Sequence, residues 1–177
     1  CGAEMAVVMT PFYGQLKNIQ PKTRVKTVIA TGVKEYLTPF KRLMFGLLME
    51  KKQGHYVELQ AGDLWLQDII RQYAGSPVPD VKLGFDETGL ILFSGGTTGV
   101  PKGVMLSHGC ILMNGMQTRA WFGKLLVDWE DVTILLMPLF HIYGNIILVS
   151  TLLNARVPIV LVPNPRDVPD LLATIRT

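Results

Sequence analysis

Short apolar runs alternate with stretches of helical periodicity along most of the chain, and that alternation limits the folds open to it. Residues 6–9 (Ala6-Val7-Val8-Met9), 25–30, 90–93 (Leu90-Ile91-Leu92-Phe93), 103–106, 132–137 and 157–162 read as strands. The first ends at Thr10-Pro11, which reads as a turn. Between these runs lie helices: a short one at 16–19 ended by Pro21, and another starting at Pro39, where proline is tolerated. Residues 64–73 place Leu66, Ile69, Ile70 and Tyr73 on one face, with Asp63 as the expected N-cap. Ser107 is expected to cap a helix over 108–122. Residues 142–153 read as a further helix, and Asp167 as the cap of a last one over 168–176. Strands that alternate with helices imply an α/β fold, a mostly parallel sheet flanked by helices. The run 132–137 is continuous, so both faces of that strand are expected to be buried.

At 177 residues one domain is expected. Residues 74–89, with Pro77, Pro79, Gly75, Gly84 and Gly89, read as a surface loop and mark a subdomain break. The chain is 49% hydrophobic and 18% charged, which excludes a disordered chain. Its net charge of +3 is spread over both halves, which argues against a nucleic-acid partner. Cys1 and Cys110 form neither a disulfide framework nor a metal pattern, so a reduced, cytoplasmic setting is expected. No targeting segment appears, and the chain begins at Cys1 rather than Met, as an excised piece would. The apolar stretch 142–153 is shorter than the ~20 residues a membrane span needs. Residues 41–52 are apolar with basic ends. They read as a partly buried surface helix or as a segment lying on a membrane surface.

The chemistry concentrates in Phe93-Ser94-Gly95-Gly96-Thr97-Thr98-Gly99-Val100-Pro101-Lys102-Gly103. Glycines let a backbone turn tightly and approach a ligand, and turning N–H groups make an anion-binding concavity. Ser94, Thr97 and Thr98 add hydroxyl donors, and Lys102 adds a positive charge suited to phosphate. These features describe a polyphosphate cradle; the plainer reading is a Gly-rich hairpin loop without a ligand. A Walker loop is disfavoured. Its lysine precedes Ser or Thr and opens a helix, whereas Lys102 precedes Gly103 and a strand-like run.

The stretch resembles the signature of the adenylate-forming superfamily: an aromatic residue, two Ser/Thr, then Gly-Thr-Thr-Gly-x-Pro-Lys-Gly. Phe93 and Ser94 match its start and residues 96–103 match throughout, while Gly95 stands where the second hydroxyl is expected. Pro138-Leu139-Phe140-His141-Ile142-Tyr143-Gly144 resembles a second segment of these enzymes. The flanks, including residues 25–36 and Arg119-Ala120-Trp121-Phe122, resemble bacterial long-chain fatty-acid–CoA ligases.

The resemblance implies activation of a fatty acid with ATP to acyl-AMP, then transfer to CoA, with aryl acids as the alternative substrate. It assigns Ser94, Gly95, Gly96, Thr97, Thr98, Gly99 and Lys102 to the ATP phosphates, and the Ser94 hydroxyl to Mg²⁺. It assigns His141 and Tyr143 to the acyl or adenylate group. On its own, His141 reads first as a hydrogen-bonded histidine capping the next helix; paired with the loop, it reads as a substrate-facing residue. The family's later metal-binding glutamate, ribose-binding aspartate and catalytic lysine find no match here. The chain is therefore expected to be part of an N-terminal domain and inactive alone. A non-catalytic nucleotide- or partner-binding module of the same fold is the competing reading. Peripheral membrane contact of the parent enzyme is left open.

Overall fold

The computed structural model describes residues 2–95, 99, 101–147, 156–162 and 164–176. Two units make up the chain, Cys1–Pro79 and Asp80–Thr177.

The first unit is built on a parallel sheet in the order β1 (Met5–Met9), β2 (Thr27–Thr31) and β3 (Leu64–Trp65). β1 pairs with β2 from Met5↔Thr27 to Met9↔Thr31, and β2 pairs with β3 at Ile29↔Leu64 and Ala30↔Trp65. The central strand is the apolar one, as burial on two faces requires: Val28 and Ala30 are fully buried and Ile29 nearly so. Tyr13 packs on them, with Val8, Leu16 and Trp65 around the cluster. Helix α1 (Thr10–Ile19) connects β1 to β2, α2 (Pro39–Leu48) follows β2, and α3 (Leu66–Gln72) follows β3.

Two expectations need correction here. Thr10-Pro11 is not a turn but the start of α1; proline lacks a donor that the first helical turn would leave unpaired anyway. Asp63 does not cap the helix after it. Residues 64 and 65 pair with β2 as a strand, and α3 starts at Leu66 with Trp65 in the N-cap position. The Asp63 carboxylate is instead taken by groups far upstream. It accepts from the Tyr13 hydroxyl and pairs with Lys17 Nζ at 3.0 Å.

In the second unit β4 (Thr88–Ser94) and β5 (Lys102–Ser107) form an antiparallel hairpin. β6 (Thr133–Leu135) and β7 (Ile159–Leu161) pair in parallel. Helix α4 (His108–Phe122) leaves β5 directly, and the Ser107 hydroxyl accepts from Cys110 N–H at 3.1 Å, the expected cap. At the other end of α4 the Arg119 guanidinium donates to the Leu126 carbonyl (2.7 Å) and to Asp128 (2.5 Å), which fixes the chain entering β6. Helix α5 (Ile142–Ile147) follows β6, and α6 (Val168–Arg176) follows β7, with Asp170 N–H donating to Asp167 Oδ1 at 3.2 Å. The remainder of the expected helix 142–153 lies outside the described residues. The strand expected over 132–137 is shorter and less covered: only three residues pair, and Val132, Leu136 and Met137 are exposed, with Leu135 buried. The sheets are parallel except for the β4–β5 hairpin. No helix among the described residues is long and apolar enough to cross a membrane.

Candidate functional site

The Gly-rich loop closes the β4–β5 hairpin. Its frame is the terminal pair Ser94↔Lys102, preceded by Phe93↔Gly103 and Leu92↔Val104. The ladder therefore fixes where the loop leaves and re-enters the sheet. Ser94 also sends its hydroxyl across the mouth toward the Lys102 carbonyl, at 3.5 Å. Lys102 is exposed and opens a strand rather than a helix, so the loop lacks the geometry of a Walker motif.

Within the loop Gly99 has φ +80°, a left-handed conformation that L side chains rarely adopt, so glycine is required there. Gly95 is different: a Cβ there would meet none of the described residues within 4 Å. Among the described residues, crowding therefore does not exclude a second hydroxyl at this position. Gly96, Thr97 and Thr98 lie outside the described residues.

Beside the hairpin is a cavity of about 460 Å³ lined by Leu92, Phe93, Ser94, Gly95, Val104, Leu106, Phe140, His141 and Ile142. It brings together the start of the loop and the second motif, which are separated by almost fifty residues of chain. Its wall is mostly apolar, with a hydroxyl and an imidazole as polar groups, a composition typical of small-molecule sites.

His141 stands just ahead of α5. Its Nδ1 accepts from Tyr143 N–H at 3.2 Å, so it caps the helix, as the plainer reading held, and it lines the cavity too. The two roles are compatible because the ring has two nitrogens. An Nδ1 that accepts carries no proton, which leaves Nε2–H as a donor. The segment is held tightly. His141 N–H donates to the Pro138 carbonyl at 3.0 Å, and a Cβ at Gly144 would come within 2.5 Å of that same oxygen. Glycine at 144 is therefore what lets α5 sit against the 137–138 backbone. Tyr143 is exposed on α5 and does not line this cavity. Sequence reasoning did not single out Phe140, Leu92, Val104 or Leu106 as cavity residues. Leu92, Val104 and Leu106 carry no signal beyond the apolar pattern of the two hairpin strands, and Phe140 is marked only by its place in the second motif.

No group of three or more His, Cys, Asp or Glu suited to a metal ion occurs among the described residues. The Ser94 hydroxyl could supply one oxygen to a magnesium ion, which takes most of its ligands from phosphates and water.

The model of the family described as "AMP-binding enzyme" matches residues 3–177. A long-chain-fatty-acid–CoA ligase of Escherichia coli O157:H7 is 29% identical over 177 residues; the match covers 97% of this chain and 31% of that protein. This chain therefore spans about a third of the length of that relative. Among solved structures, a putative long-chain-fatty-acid CoA ligase from Rhodopseudomonas palustris superimposes with a TM-score of 0.67 at 16% identity, over 98% of this chain and 36% of that one. The O-succinylbenzoate coenzyme A synthetase of Bacillus subtilis, in complex with ATP and magnesium, gives 0.55 at 20% identity, over 97% and 37%.

Proposed function

The chain belongs to the AMP-binding enzyme family, and from that premise we propose that it is the part of a long-chain fatty-acid–CoA ligase that holds the ATP phosphates and one wall of the acyl pocket. The observation that carries this reading is the cavity shared by the loop start, Ser94 and Gly95, and by His141 of the second motif. A phosphate cradle beside a mostly apolar cavity suits a reaction between ATP and an apolar carboxylic acid.

A carboxylate is a poor acyl donor because its oxygen leaves badly. In the proposed reaction a carboxylate oxygen attacks the α-phosphorus of ATP, and the bond to the bridging oxygen breaks. The electron pair departs with pyrophosphate, leaving acyl-AMP. The sulfur of CoA then attacks the acyl carbon, AMP leaves, and the thioester forms. The protein's task in the first step is positioning and stabilising the charge that grows on the leaving group.

The loop's backbone N–H groups and Lys102 hold the β- and γ-phosphates, with Gly96, Thr97, Thr98 and Gly99 completing the cradle. Magnesium, when bound, neutralises phosphate charge, and Ser94 contributes an oxygen to it. His141 donates through Nε2–H to the carboxylate or the adenylate, its ring held by the bond from Tyr143 N–H. Tyr143 takes part through that N–H, which orients the His141 ring. The enzyme works in the cytosol, consistent with its cysteine usage, and 1–177 is part of its N-terminal domain. Alone, the chain is inactive, since it spans only about a third of the ligase it resembles.

The test is fatty-acid-dependent exchange of labelled pyrophosphate into ATP, run on this chain and on the full reading frame that contains it. Exchange in the full protein with long-chain acids is the expected result. Exchange in neither would favour a non-catalytic module. Exchange with aryl acids alone would keep the adenylation and change the substrate.

A further inference from the structure

Helix α2 faces the wrong way for a helix that only supports its own unit. At 100° per residue, Phe40, Leu43, Met44, Leu47 and Leu48 fall within an arc of about 140°. All five are exposed, Phe40 and Leu47 at 73%. The opposite face meets the unit. Phe45 stacks edge-on against His55, Gly46 lies against Lys34, and the Arg42 guanidinium donates to the Lys34 and Glu35 carbonyls. The apolar stripe therefore points outward because polar anchors hold the other side inward.

Charge around the stripe has one sign. Lys41 lies beside it, and Lys51 and Lys52 follow its end. The segment's acid, Glu50, is turned into Lys34 at 2.6 Å. Helix α6 makes a useful contrast: Val168, Leu172 and Ile175 are exposed too, but Asp167 and Asp170 stand at that helix's start. At about 1.5 Å per residue, α2 is some 15 Å long, far too short to span a bilayer but long enough to lie in its surface.

We propose that α2 is a membrane-docking helix, which lays the stripe from Phe40 to Leu48 into an anionic lipid surface, with Lys41, Lys51 and Lys52 at the headgroups. The combination of an outward apolar face and bordering cations is that of an interfacial helix. The inference does not depend on the adenylation reading.

The test is co-sedimentation of the intact protein with vesicles of mixed phosphatidylglycerol and phosphatidylcholine, and with phosphatidylcholine alone, at about 0.1 M salt. The wild type binds the anionic vesicles and prefers them to the neutral ones. Phe40→Ser with Leu47→Ser weakens that binding at least ~10-fold, because the apolar face is what enters the lipid. Lys41→Gln with Lys52→Gln weakens it roughly 25-fold, about fivefold per cation, and removes most of its salt dependence. Both double variants keep the wild-type melting temperature, since they alter exposed positions. Equal vesicle binding by the serine variant and the wild type overturns the proposal. So does absence of vesicle binding together with a lowered melting temperature in the serine variant, which would assign the stripe to packing within the polypeptide. A dimer that the serine variant dissociates, again without vesicle binding, overturns it in favour of a second copy.

Discussion

β2 of the first unit runs between two strands with Val28 and Ala30 fully buried, and beneath it Tyr13, Asp63 and Lys17 join residues about fifty positions apart. The β4–β5 hairpin of the second unit is the reverse. Phe93, Val104 and Met105 are exposed, and its geometry rests on the strand ladder and on the Ser107 cap of α4. The contrast separates two jobs. The first unit holds its shape by burial and a sequestered ion pair; the second carries exposed hairpin residues which, on the function proposed above, meet a ligand. Stability should be sensitive to substitution in one, and chemistry in the other.

The largest effect is expected at Lys102. In the full enzyme, Lys102→Ala slows acid-dependent pyrophosphate exchange by ~10²-fold or more, by analogy with loss of one oxyanion donor. The side chain is exposed, so the melting temperature stays at the wild-type value. Unchanged exchange kinetics would remove Lys102 from the phosphate site. A lowered melting temperature would blur the division between the units.

Asp63→Ala is the counterpart in the first unit. The carboxylate is almost fully buried and Lys17 is largely so, and the substitution leaves both Lys17 and the Tyr13 hydroxyl without it. Breaking a buried pair in this way costs about 3 kcal/mol, read as a shift in the denaturant midpoint. Arg71→Ala supplies the control. Its pair with Asp68 is exposed on both sides and is worth at most about 0.5 kcal/mol. Equal effects of the two variants would mean that Asp63 is more hydrated than its surroundings imply.

The same two regions differ in how much the sequence reveals. The hairpin was legible because its signals are local. Gly and Pro punctuate it, Lys102 is followed by a β-type run, and Ser107 caps the helix that leaves it. Gly99 stands where a positive φ demands it. Asp63 was misread because its alternatives are not local. A carboxylate just before a helical pattern is a good N-cap, but Tyr13 and Lys17, folded over from α1, outcompete the helix end for it. Thr10-Pro11 was misread for a different reason, since a proline that ends a strand and one that begins a helix look alike in sequence. The outward face of α2 was half legible. Its apolar periodicity and basic ends could be read, but the direction of the stripe is set by Arg42, Phe45 and Lys34, whose partners lie in other segments. The cavity was legible only as two motifs. That they share a wall depends on how α5 follows β6, which no local pattern encodes.

Tyr13 offers the finest test of the contrast, because it carries a pH signature. Its pKa is raised above the ordinary 10.0, first by burial and then by the hydrogen bond it donates to Asp63, against a smaller opposing pull from the Gln60 N–H. Raising the folded-state pKa means that the folded protein keeps a proton which the unfolded chain releases near pH 10. The associated stability is whole below pH 10 and is lost as pH climbs through the folded value. Wild-type stability should therefore decline in alkali. Tyr13→Phe removes the bond to Asp63 while Lys17 still pairs with it, costing about 1 kcal/mol at neutral pH. The variant's alkaline decline should be shallower, because phenylalanine has no proton to release. Tyr56 is also raised, chiefly by its bond to Glu58, but it is common to both proteins and cancels in the comparison. Parallel alkaline slopes would overturn the assignment. A shallower slope in the variant places part of the protein's alkaline sensitivity in the sequestered Tyr13–Asp63–Lys17 network of the first unit.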